Sequence, residues 1–263
     1  MDFLYDLPNW FLGALISGVA VAISLGGYLL FCRFFRADFT ADDRSLAMSV
    51  LAVVATINSL LLAFSAVSVW ESFGSAEDAV VREGDTIGEL ARDLAVFDSV
   101  ESRKARDTVR EYTQLVVEKE WDDMRAGNAN QDAWLASDDI FRAVGRLEPD
   151  TPKRQALLPE IWARTNEMVA HRRDRLHTSQ SEVPTTLWIV VLTGTMVTVL
   201  TMFVLPRTTF NAVMIAALAL SLGLVFFFIV AMDRPFAGRE SISHGPFDAA
   251  LDNMRRWDAT TAR

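Results

Sequence analysis

"INSLLLAFSAVSVWES", Ile57 to Ser72, is the stretch on which the reading of this chain turns. It is apolar enough to lie in a bilayer, yet it holds Asn58 and four serines, and Trp70 and Glu71 close it. It ends a run from Ser45 to Trp70 that contains no Asp, Glu, Lys or Arg. Three further runs share that property: Leu7 to Cys32, Val183 to Pro206, and Thr208 to Met232. Each of the four has 24 to 26 residues. A helix rises about 1.5 Å per residue, so roughly 20 residues cross a hydrocarbon core of about 30 Å. The pattern predicts an all-α membrane protein with four transmembrane helices in two hairpins, and a helical polar insert between the second and third.

The predicted divisions are 1–70 for the first hairpin, 71–182 for the insert, 183–232 for the second hairpin and 233–263 for a C-terminal tail. Asp2 and Asp6 stand where a secretory signal would carry basic residues, and no small-residue cleavage site follows, so the first run reads as a retained helix. Pro8 and Trp10 suit its start at a membrane interface. Pro206 stops the third span and Thr208 or Thr209 can cap the fourth. Cys32 is the single cysteine, so no intrachain disulfide forms, and it reads as inert packing.

The insert holds 24 acidic and 16 basic residues, a net charge of 16 − 24 = −8, which accounts for nearly all of the −9 of the whole chain. Its apolar residues recur every three or four positions, which predicts helices. Phe73, Val80, Ile87 and Leu94 form one heptad row, with Ala76, Leu90 and Phe97 in a companion row that Glu83 interrupts. A second helix is expected over Glu101 to Arg125, a break at "AGNAN" (Ala126 to Asn130), a third helix from Asp132 to Leu147, and a fourth from Lys153 with Leu157, Ile161, Met168 and Leu176 inward. The first and fourth can prolong the second and third spans.

Basic residues near the span ends set orientation. Arg82, Arg172, Arg173, Arg175, Arg234 and Arg239 lie on the side of the insert and termini, against Arg33, Arg36, Arg44 and Arg207 on the other. Six against four predicts a multi-pass protein of the cell's inner (plasma) membrane with cytoplasmic insert and termini. The arginines at 172, 173 and 175 would then face anionic lipid. The acidity of the insert argues against nucleic acid as a partner.

"SVWESF" (Ser68 to Phe73), "VVREGDTIGEL" (Val80 to Leu90), "VREYTQLVVEKEW" (Val109 to Trp121) and "MDRPFAGRESIS" (Met232 to Ser243) together resemble the bestrophin-like domain family of bacterial and plant membrane proteins. The resemblance covers almost the full chain, and Asp233-Arg234-Pro235 after the last span is its most specific mark. That family is remotely similar to the bestrophins, homopentameric ion channels in which the second membrane helix of each subunit lines the pore neck and helical extensions form a cytoplasmic vestibule. The resemblance implies a homo-oligomer, a pentamer by that likeness, which conducts inorganic ions. No acidic run like the calcium clasp of animal bestrophins is present.

Candidate residues follow. Asn58, Leu61, Leu62, Ser65, Ser68, Glu71 and Ser72 form one face of the second span in which polar groups alternate with leucines. Such a face lines a pore, where leucines make a dewetting constriction and amides or hydroxyls replace part of an ion's hydration shell. It equally suits close helix packing through small residues and hydroxyls bonded back to their own helix. Glu71 is either an interfacial residue or, repeated around an axis, an acidic ring that prefers cations, as does the net charge of the insert. Glu83 in its apolar row calls for a structural ion pair with Arg82 of a neighbouring subunit or with Arg172. Asp233, Arg234 and Pro235 make a membrane-boundary motif, a helix stop and anchor or a docking point for the insert.

His171, Asp174 and His177 lie near one helix face, but with no fourth ligand and arginines at 172, 173 and 175 no metal site is expected. No P-loop, dinucleotide fingerprint, HExxH or nucleophile elbow occurs, and the spans carry no titratable acid or base, so neither a catalytic residue nor a cofactor is expected. Three functions remain in view: an oligomeric channel or channel-like pore with the second span lining it; a non-conducting membrane scaffold or signalling component that binds a partner through the insert; and, distantly, a membrane enzyme.

Overall fold

Thr40 and Asp43 start the longest helix by capping each other: the Thr40 hydroxyl accepts from the Asp43 N–H at 3.1 Å, and the Asp43 carboxylate accepts from the Thr40 N–H at 2.9 Å. From there α2 runs unbroken over Ala41–Phe97, 57 residues, through the span and the first heptad rows of the insert. The computed structural model describes residues 7–35 and 39–261. Asp2, Asp6 and Arg36 lie outside the described residues. All regular structure among the described residues is helical.

Among the described residues the α-helices are, in order, α1 (Asn9–Phe34), α2, α3 (Val100–Leu115), α4 (Trp121–Arg125), α5 (Gln131–Val144), α6 (Pro152–Ser179), α7 (Thr185–Thr201), α8 (Thr209–Met232) and α9 (Gly245–Thr261). A π-helical turn, Val116–Glu120, joins α3 to α4, and a 3₁₀ turn, Met202–Val204, ends α7. Short polar side chains cap the helices. Ser99 and Ser102 cap α3 reciprocally, Asn130 caps α5, Thr151 caps α6 ahead of Pro152, and Thr208 caps α8. Asp98, at φ 50°, turns the chain from α2 to α3, and the Arg154 Nε donates to the Phe97 carbonyl at 2.7 Å, satisfying a helix-end acceptor. α6 and α7 are separate helices, because Pro184 has no N–H to continue the ladder.

The chain divides into two compact units. The first comprises Met1–Ser72, Glu182–Arg234 and Gly238–Glu240. Its four helices, Asn9–Phe34, the early part of Ala41–Phe97, Thr185–Val204 and Thr209–Met232, are long and apolar enough to cross a membrane. The chain is a multi-pass membrane protein. Among the described residues the first of these helices packs along the fourth. Gly223 allows it, since a Cβ there would lie 2.7 Å from the Ser17 Cα, and Gly13 lies under the ring of Phe227. Tyr28, fully buried, donates to the Pro206 carbonyl at 2.8 Å and ties α1 to the turn before α8.

The second unit comprises Phe73–Ser181, Pro235–Ala237 and Ser241–Arg263. Val80, Ile87 and Leu94 with Ala76, Leu90 and Phe97 are all buried in one core, joined by Val109, Tyr112, Val116, Ile161 and Met168 from α3, the π turn and α6. The tail shares this core through Phe236, Ile242, Phe247, Ala250 and Met254. Gly84 lets the tail approach, since a Cβ would lie 2.6 Å from the Cβ of Pro246.

Candidate functional site

The α2 face from Asn58 to Ser72 splits in two. Asn58, Leu62 and Ser65 are buried at 2–3% exposure, Leu61 and Ser72 are half-buried, and Ser68 and Glu71 are exposed. The buried part faces α7: the Asn58 Nδ2 donates to the Thr195 Oγ1 at 3.1 Å, and Gly194 makes room, since a Cβ there would meet the Asn58 Oδ1 at 2.3 Å. The Ser65 hydroxyl bonds back to the Leu61 carbonyl at 2.8 Å, and Ser65 borders a small cavity together with Leu187, Trp188 and Val191 of α7. Leu62 packs with Val191, Phe226 and Ile229. These three residues pack within the chain.

The outward side of the same span is different in kind. Ser45, Ser49, Ala52, Thr56, Ser59 and Ala63 recur at alternating steps of four and three and are all exposed. Ser49 and Thr56 return their hydroxyl hydrogens to the carbonyls four residues earlier, at 3.0 and 2.7 Å, so their lone pairs face outward. Beside them runs a bulky exposed row: Leu46, Val50, Val53, Ile57, Leu60, Phe64 and Val67.

At the end of α8 the boundary motif forms a clamp within the first unit. The Asp233 carboxylate accepts from the Val183 N–H at 2.8 Å, just ahead of α7, and Arg234 pairs with Glu182 at 2.8 Å. Burial, reinforced by Glu182, pushes the Asp233 carboxyl above its ordinary value, opposed by the Val183 N–H and Arg234. The motif thus positions α7 against the end of α8, more than a stop to one helix.

Among the described residues of the second unit four charges are fully buried: Glu83 on α2, Glu120 on the π turn, and Arg172 and Arg175 on α6. Arg175 donates from Nε to Glu83 at 2.7 Å and from Nη2 to Glu120 at 2.9 Å. Arg172 donates to the other Glu120 oxygen, and its guanidinium lies 4.1 Å from the ring centroid of Trp134. Tyr112 donates its hydroxyl to Glu83, and burial raises its pKa well above the ordinary value, with Glu83 adding to the shift. Burial pushes the Glu120 carboxyl up, but Arg175 and Arg172 outweigh it and hold the group below its ordinary range.

The partner expected for Glu83 is therefore corrected. Arg82 points outward and pairs with Asp78, while Arg172, one turn before Arg175, meets Glu120 instead. The expected lipid-facing cluster is corrected too, since only Arg173 of the three arginines is exposed. The π turn explains how Glu120 joins the set. An α-helix advances about 100° per residue, and the wider turn rotates the following residues back so that Glu120, Trp121 and Met124 all remain inward. His171, Asp174 and His177 make no metal cluster among the described residues.

A profile of the Bestrophin-like domain matches residues 18–247, from the first span to the start of α9. The chain belongs to the Bestrophin-like domain family. The fold has a solved counterpart in a membrane protein with a TM-score of 0.61 at 11% identity, covering 94% of this chain and 96% of that one. No curated protein sequence matches. In this Bestrophin-like chain the matched region includes both the outward face of α2 and all four buried charges. Glu120 escaped the sequence reading and Arg175 was placed against lipid, although a signal existed: Arg172 and Arg175 continue the inward row of Ile161, Thr165 and Met168.

Proposed function

We propose that this Bestrophin-like protein is a homo-oligomeric ion channel whose pore is lined by α2, a pentamer by its family resemblance, with the second unit as a cytoplasmic vestibule. The observation that carries this reading is the outward hydroxyl row of the second span. Hydroxyl lone pairs gain nothing against lipid tails, whereas around an axis they can take over part of an ion's hydration shell. Leu60 and Phe64 on the adjoining row supply the apolar constriction. Ser68 and Glu71 keep their proposed lining role at the end of the span.

Cations are the favoured ions. Glu71, Asp78 and Asp85 stand seven residues apart on one exposed line of α2, and residues 71–182 carry the net −8. The scaffold alternative would need a broad apolar docking face on the second unit. Among its described residues the exposed large apolar side chains are Val81, Val96, Val100 and Leu135, spread over three helices, which gives that reading no support. Planar-bilayer recording from the purified protein tests the proposal: the expected result is current that reverses near the cation equilibrium potential, and silence over a range of voltage and calcium would overturn it.

A further inference from the structure

We infer that the cleft between α2 and α6 in the second unit binds a primary ammonium–phosphate group, the chemistry of a phosphoethanolamine headgroup. The cleft has a volume of about 260 Å³ and is bordered by Ser75, Asp78 and Arg82 on α2 and by Asp174, His177 and Thr178 on α6. Its charges are mixed. Two carboxylates suit an ammonium, and a guanidinium and an imidazole on the same border suit a phosphate. Arg82 and Asp78 approach only to 3.4 Å and remain mostly exposed, and Asp174 has no hydrogen bond or ion pair among the described residues. The Thr178 hydroxyl spends its hydrogen on the Arg175 carbonyl at 2.9 Å, leaving an acceptor toward the cleft and favouring a donor such as an ammonium.

The place of these residues in the chain points to a headgroup. Ser75 lies three residues beyond Ser72 on the same unbroken helix, an axial rise of about 5 Å, and Thr178 lies four residues before Glu182. The headgroup layer is itself about 5–7 Å deep on each side of a bilayer. The cleft is too small for acyl chains, so the recognised part is the polar head. A quaternary ammonium cannot donate a hydrogen bond to Asp174 or Asp78, which makes choline the discriminating control. This inference is independent of conduction.

The test uses the full chain. In detergent, soluble phosphoethanolamine is expected to raise the thermal midpoint saturably, by about 5–10 °C at a hundredfold excess over half-saturation, while phosphocholine does not. Nanodiscs of phosphatidylethanolamine against phosphatidylcholine then separate the sources: a rise in both formats assigns a lipid, and a rise with the soluble compound alone assigns a free phosphoethanolamine. Asp174→Asn and Arg82→Gln, both at exposed positions, are expected to abolish the response without lowering the unliganded midpoint. Equal responses to the choline and ethanolamine compounds, or a full response in Asp174→Asn, would overturn the inference. So would a midpoint that depends on protein concentration and not on headgroup, because a second copy would then fill the cleft.

Discussion

The two units bury their surfaces in opposite ways. In the first, only 17 to 28% of the most apolar window of each membrane helix is buried, and contacts run through small residues such as Gly223 and Gly194. In the second, a continuous core closes over side chains at 0% exposure, four of them charged. Lipid tails are as apolar as leucine, so helices in a bilayer gain little from hiding apolar surface and associate through close packing and hydrogen bonds. Water makes the second unit complete its own core. The uncovered face of α2 is thus ordinary in its bulky rows and informative only in its hydroxyl row.

The sharpest way to break the comparison is at the buried charges. Arg175→Met leaves Glu83 without a cation and Glu120 with Arg172 alone, and removal of one partner from a buried pair costs about 3–5 kcal/mol. The expected outcome is a large fall in the unfolding midpoint together with protease sensitivity confined to residues 73–181, read by mass spectrometry of the fragments.

A smaller effect is expected at the glycine contacts. Gly223→Leu must displace α1, because its Cβ alone would lie 2.7 Å from the Ser17 backbone. Overpacking of this kind costs about 1–3 kcal/mol. Chemical cross-linking between cysteines placed on α1 and α8 is expected to fall, while the core of the second unit keeps its hydrogen-exchange protection.

Acidity separates the units further. The Glu120 carboxyl titrates below its ordinary 4.5 in the folded protein, so the stability it contributes is present above 4.5 and is lost as pH falls through the lower folded value. Thermal midpoints between pH 7 and pH 3 are expected to drop in that acidic window, with a shallower drop in Glu120→Gln. The smallest effect belongs to Asn58→Leu. It removes one hydrogen bond between membrane helices, about 0.6 kcal/mol on average, and also a buried Oδ1 without a hydrogen-bond partner. Stability is expected to change by less than about 1 kcal/mol and conductance not at all.

Much of this was legible before any coordinates. Charge-free runs give the four spans because length and composition alone decide whether a helix can cross a bilayer. The heptad rows of Phe73 to Phe97 give the inward face of α2, and Thr208, one of the two threonines read as a cap, caps α8. What was not legible depends on rotation and on distant partners. A row such as Asn58–Ser65–Ser72 names a face but not what covers it, and only α7 decides that. The pairing of Glu83 with Arg175 and not Arg172 rests on one turn of α6, and the inward Glu120 rests on a π turn that no residue pattern announced.

The central claim is that the outward hydroxyl row of α2 meets the ions and the Asn58–Ser65 row does not. In a Cys32→Ser background, single cysteines at Thr56, Ser59 and Ser65 can be exposed to a charged thiol reagent during bilayer recording. The account predicts that Thr56→Cys and Ser59→Cys channels change their current on modification while Ser65→Cys channels are indifferent; modification at Ser65 with silence at Thr56 and Ser59 would contradict it.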